Sequence, residues 1–326
     1  VPIHNLGYRE WEGQRESGNS RWSVIAGVGI RRAWQSKWLR RIAFVVWAPP
    51  LAYGILIFLF EQVLTGEIAT RQGERSTFLD VLTFFLPSES MNAVRAGLYA
   101  ANTAVGDELL TVARPIFWKS VLLQLQRSQT IGLILVVGLV APPLISQDVR
   151  SRAFLLYFSR PLTRLQYIAG KFATVAAFLL LICTLPQLML YVFAVLLSPD
   201  ISVVAYTWDL PLRAIVASCV TIIPTTMLAL MLSSLTTETR FATFGWFLIW
   251  IFGLAAFAVI SNFDAGTSQI VLRIGFLFLL FSDLSTWILD IPARVPFRDT
   301  QIAFAIALTV ICTAIIFRKV SAPLRA

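Results

Sequence analysis

Six stretches of this chain run for about the thickness of a bilayer core with hardly a charge among them: residues 42–60, 129–146, 172–197, 211–232, 241–260 and 302–317. A helix rises 1.5 Å per residue, so about 20 apolar residues cross roughly 30 Å of hydrocarbon. In lipid no water satisfies the backbone, so each run must close its hydrogen bonds within itself, as a helix. That predicts an all-α integral membrane fold with six transmembrane helices. The chain is 57% hydrophobic and only 14% charged, where a soluble domain carries about 25% charged residues. Prolines inside the runs (Pro49, Pro50, Pro142, Pro143, Pro186 and Pro224) fit membrane helices, where neighbouring groups satisfy the freed carbonyls.

Six spans put both termini on one side. The segments 1–41, 148–171, 233–240 and 318–326 share that side, and in them basic residues far outnumber acidic ones. On the other side, 61–127, 198–210 and 261–300, acidic residues prevail. The basic side is therefore expected to be cytoplasmic, with N- and C-termini inside. The polar segment 1–41 has no leader pattern, and the first apolar run is expected to be a retained span. The organisation expected is a cytoplasmic N-terminal segment, 1–41, followed by a transmembrane domain, 42–326. Within 21–41 tryptophans (Trp22, Trp34, Trp38) alternate with Arg31, Arg32, Lys37, Arg40 and Arg41. Such a mixture suits the headgroup layer, so an amphipathic helix on the membrane surface is expected there. The 61–127 segment reads as an external loop with short helices, one of them over 114–126. The apolar stretch 270–281 is too short to span and is interrupted by Arg273; a re-entrant or interfacial helix is expected.

Much chemistry is excluded by residue type. Cys183, Cys219 and Cys312 each lie in an apolar run, and His4 is the lone histidine. Neither a zinc site nor a disulfide framework is indicated, and no metal site is expected. The net charge of +9 flanks the apolar runs and forms no soluble basic face, so nucleic acid is not an expected partner. The apolar cores lack the buried carboxylates and histidines of ion-coupled carriers. Gly170-Lys171 is the single suggestive phosphate-loop dipeptide, but Leu165 stands where the first glycine is needed and Phe172 where Ser or Thr is. No enzymatic activity is expected of the chain, and any energy for transport must come from a partner.

The loop between the second and third spans points to that partner. It begins with Asp148, Arg150 and Arg152, continues through the apolar Phe154–Phe158 stretch with Tyr157, and is broken by Pro161. An amphipathic helix over 148–160 is expected. Then come Ser159-Arg160-Pro161-Leu162-Thr163-Arg164, Tyr167, Gly170 and Lys171. This segment resembles the permease subunits of ABC transporters of the ABC-2 type. They carry an acidic residue after the second span, a short helix, and an S-[RP]-P-[LV]-[ST]-R…Y…GK stretch entering the third. Many members have Gly-Thr after the acidic residue, where this chain has Arg152-Ala153. Leu232-Ser233-Ser234-Leu235 with Glu238 and Arg240 is similar to the family's second cytoplasmic loop, and Tyr8-Arg9-Glu10-Trp11-Glu12-Gly13 resembles the opening of a bacterial subgroup.

The resemblance implies a permease that lies in the bacterial cytoplasmic (inner) membrane and exports its cargo. It would pair with a second permease copy or a homologue, above a dimer of ABC ATPase subunits. ATP and Mg would bind the ATPase; no cofactor is expected in this chain. The coupling loop, 147–171, would dock through Asp148, Arg150, Arg152, Phe154, Tyr157, Arg160, Pro161 and Arg164, beside Glu238 and Arg240. Trp22, Trp34 and Trp38 would mark a connecting helix, and 265–292 a re-entrant pair before the last span. The alternatives are an ATPase-independent membrane channel and a non-transport assembly or anchor protein.

Overall fold

The structure is a computed structural model; it describes residues 21–65, 107–153, 162–198, 200–260, 271, 273–291, 295 and 297–321. Every described element is helical: α1 (Arg21–Trp34), α2 (Lys37–Val45), α3 (Ala48–Thr65), α4 (Asp107–Val140), α5 (Pro142–Arg150), α6 (Arg164–Leu179), a π-helical turn (Leu180–Thr184), α7 (Leu185–Leu197), α8 (Val203–Thr207), α9 (Asp209–Leu235), α10 (Thr239–Ile260), α11 (Leu277–Ile288) and α12 (Arg298–Ser321). Six segments are long and apolar enough to cross a membrane: Lys37–Gln62, Arg114–Arg150, Arg164–Leu197, Val203–Leu235, Thr239–Val259 and Arg298–Val320. The chain is a multi-pass helical membrane protein.

Each expected span has its helix, with differences at the ends. The stretch 114–126, expected as a short helix of an external loop, is the first part of α4 and runs without a break into the second span. The surface helix expected over 21–41 is two helices. Ser36 interrupts it: its hydroxyl accepts from the Leu39 amide at 3.4 Å and starts α2, which belongs to the first span. The helix expected over 148–160 does not begin at Asp148 either. Asp148 and Arg150 sit on α5, which continues the second span past Pro142 and ends at Arg150. Residues 154–161 lie outside the described ones.

The prolines explain where helices bend. Pro142 and Pro143 occupy the first turn of α5, where a missing N–H costs nothing. The turn from Leu180 to Thr184 widens just before Pro186, which takes the first turn of α7. A wider turn relieves the clash between the proline ring and the carbonyl one turn earlier.

In the most apolar windows of α4 and α9, 56% of residues are buried within the chain, against 22% in α10 and α12. The first two are therefore the axis of the bundle, and the last two present most of their surface outward. The first two spans cross closely at Gly132, where a Cβ would run into the Val46 side chain. One end of the bundle, here called proximal, carries α1, α5 and the α9–α10 turn. The distal end carries the C-terminal end of α3, the start of α4, α8 and Asp290.

Candidate functional site

The proximal end gathers the described loop residues among those singled out in the sequence. Its scaffold is the start of α5. The first amides of a helix have no partner within it, and those of Ile145 and Ser146 face α9. The Ser233 hydroxyl accepts from both, at 3.1 and 3.0 Å, and donates to the Pro142 carbonyl at 2.6 Å. Ser146 reaches Thr239, 3.1 Å between hydroxyls, at the start of α10. A serine near the end of α9 therefore caps α5 and joins the two connections at this end of the bundle.

One turn further along α5, Asp148 points inward. Its Oδ2 lies 2.7 Å from Lys171 Nζ and accepts a 2.7 Å hydrogen bond from the Tyr167 hydroxyl. The lysine also stands 5.3 Å from the centre of the Tyr167 ring. Tyr167 is fully buried, and the side chains of Lys171 and Asp148 are only 10% and 13% exposed. A charged pair this dry holds together because each charge is the other's principal compensation. It fastens α5 to the first two turns of α6. Helix α6 itself starts on a capping box between Thr163 and Gln166.

Helix α1 lies across the same region of α6. Gly170 makes that possible: a Cβ there would come within 2.7 Å of Ile25 Cβ and 2.9 Å of the Trp22 carbonyl oxygen. Trp34 stacks on Phe178, with ring centres 5.9 Å apart. Trp22 stays partly exposed, and Trp38, on α2, is 66% exposed beneath the Arg41 guanidinium. The three tryptophans thus divide between two helices.

At the outer edge of this cluster Arg150 reaches Glu238 at 3.4 Å, an exposed contact linking the two loops again. Exposed ion pairs are worth about 0–1 kcal/mol, so this one orients the loops more than it binds them. Arg152 is exposed with φ of 53°. Its amide donates to the Val149 carbonyl and that of Ala153 to Asp148, which closes α5 in a Schellman turn. A left-handed residue at that position favours glycine. Arg240 is exposed, over the Phe241 ring, and Arg164 opens α6. Phe154, Tyr157, Arg160 and Pro161 lie outside the described residues.

No family model, curated protein or solved structure matches this chain. The geometry itself is therefore what informs function.

A second polar region, absent from the sequence reading, runs through the bundle. Arg127 sits roughly 20 Å from both Arg114 and Val140 along α4, and its Nε donates to Ser282 Oγ at 2.7 Å. Next to it, the Gln126 amide donates to the Ala217 carbonyl, Thr221 and Ser285. Asp283 on α11 accepts from Arg273 at 2.6 Å and from Gln301 at 2.9 Å. The expectation of nearly charge-free cores holds only for the shorter spans read from hydropathy. At the distal end Glu61 takes two hydrogen bonds from Arg114 Nε, at 3.0 and 2.9 Å, with Nη2 at 2.8 Å and Tyr206 beside them. Both charged residues of this pair are buried.

Proposed function

We propose that the chain is the membrane-spanning permease subunit of an ATP-driven exporter of the ABC-2 type, in the bacterial cytoplasmic membrane. The observation that carries this reading is the convergence of the motif residues. Asp148, Tyr167 and Lys171 form one buried cluster, and Arg150 with Glu238 joins the two loops beside it. In such an exporter, α5 is the lever. It continues the second span beyond a proline bend, it is fastened to α6 and α9, and it ends in an exposed turn at Ser151 and Arg152. A push on that turn is transmitted to three spans at once.

In this mechanism a separate ATPase dimer binds ATP and Mg and docks beneath the proximal end, and its ATP-driven closure rocks the spans. Arg150, Arg152 and Arg240 meet it directly, with the 154–161 segment. Asp148 acts from inside, by holding the lever to α6. Helix α1 serves as the connecting helix and α11 as the outgoing limb of a re-entrant pair. The outward faces of α10 and α12 are available to lipid and to a second permease. The polar row from Gln126 to Asp283 would give cargo a hydrophilic route between apolar walls, since charged groups at that depth are costly and mark pathways.

The test is retention of a motor. The full chain, tagged and co-expressed with any ABC ATPase encoded beside it, is expected to hold that ATPase through purification. Arg150→Glu/Arg152→Glu is expected to release it with no change in folded yield. If the double variant retains the ATPase fully, the docking role is wrong. If the parent chain retains none, the channel or assembly reading is favoured.

A further inference from the structure

Beneath α1 lies a cavity of about 480 Å³, in the range of roughly 300–1,000 Å³ of small-molecule sites. Val28, Leu39, Leu139, Val140 and Leu144 make its walls apolar, and Arg32 and Ser36 stand among its polar lining. At the α5 side it reaches Asp148 and Lys171, whose charges cancel in their 2.7 Å pair. Arg32 is the uncompensated charge. It is exposed and has no partner among the described residues, and no acidic residue occurs from 21 to 45. The corner is instead crowded with Arg31, Lys37, Arg40 and Arg41. An apolar chamber with an unpaired guanidinium, where the first span begins, fits an anionic amphiphile. A soluble anion would leave the walls unfilled, and a zwitterionic headgroup would bring a cation among like charges.

We propose that this cavity binds one anionic phospholipid from the leaflet bordered by α1 and α2, an acyl chain inside and its phosphate at Arg32 and Ser36. A guanidinium fork matches phosphate geometry, and the Ser36 hydroxyl, which accepts from Leu39, retains its proton to donate. The site does not depend on a partner ATPase. Its occupant would touch Gln147 and Asp148 on α5, so leaflet composition would bear on the position of that helix.

Native mass spectrometry of the full chain, delipidated in detergent and titrated with phosphatidylglycerol or phosphatidylcholine, tests this. One phosphatidylglycerol per chain is expected, held about tenfold more tightly than phosphatidylcholine, the scale of one charge-assisted contact. Arg32→Gln is expected to erase that preference. Arg31→Gln, outside the cavity lining, is expected to keep most of it. Leu144→Trp fills the chamber and is expected to remove the bound lipid; Val28→Trp, at a more exposed wall, does the same should the first variant fail to fold. Equal retention of the two lipids overturns the proposal. So does equal loss in both arginine variants, which means diffuse surface attraction, or displacement of the lipid by inorganic phosphate alone.

Discussion

Lys171 stands about two turns into α6, where the helix becomes largely apolar. A lysine charge so placed needs an opposite charge beside it, and here Asp148 is 2.7 Å away. Lys171→Met should leave that carboxylate dry and uncompensated, at a cost of about 3 kcal/mol. Asp148→Leu/Lys171→Met should recover most of it. Thermal unfolding of the two variants in detergent checks the sign. A single variant as stable as the parent would mean that the pair is not a fastening. At this scale the sequence was partly legible. Asp148, Tyr167, Gly170 and Lys171 stood out together only through the resemblance of their segment to ABC-2 permeases, and their mutual contact could not be read. Periodicity tells which face of a helix a residue occupies, and it says nothing of what folds against that face. Arg152 stands where many of the permeases this segment resembles carry glycine, and its φ of 53° gives that position a physical meaning.

Among elements, α5 depends most on a neighbour. With two prolines opening it, its first free amides are served by one hydroxyl from α9. Ser233→Ala should leave the Ile145 and Ser146 amides without that partner and destabilise by about 1–3 kcal/mol. Hydrogen exchange should show the loss concentrated in α5, whereas uniform loss across the bundle would point to a general packing defect. The six spans were readable from hydropathy because lipid imposes the length. The helix over 114–126 was expected, but its unbroken run into the second span was not readable. Arg114, Lys119 and Arg127 interrupt its hydropathy, and what lets the helix continue is Glu61, Asp290 and Ser282, supplied from distant parts of the chain. Likewise, the break at Ser36 interrupts a pattern of tryptophan and arginine that reads on unchanged.

For the whole molecule, the two ends are fastened differently. The proximal end joins loops that carry exposed arginines. The distal end closes on Glu61, Arg114 and Tyr206, buried among apolar side chains. Arg114→Met should cost about 3 kcal/mol by stranding Glu61, and Glu61→Leu/Arg114→Met should return close to parental stability. Melting curves of the two variants are the measurement. Failure of the double variant to recover would show that the pair also supplies geometry that apolar side chains cannot.

The π-helical turn before Pro186 has a consequence for insertions and deletions. Each residue in a helix turns the chain by roughly 100°, so an extra residue ordinarily rotates everything beyond it. A widened turn absorbs the extra residue and keeps α6 and α7 in phase. Removing one residue from 180–184, with Pro186→Ala to take away the ring, should therefore leave a straight helix with both buried faces still aimed at the bundle. The same deletion in the middle of α9, where Pro224 sits in an unbroken helix, should swing half of its buried face into lipid and abolish folding. Folded yields of the two deletions would show that the chain tolerates a change of length at one span and not at another.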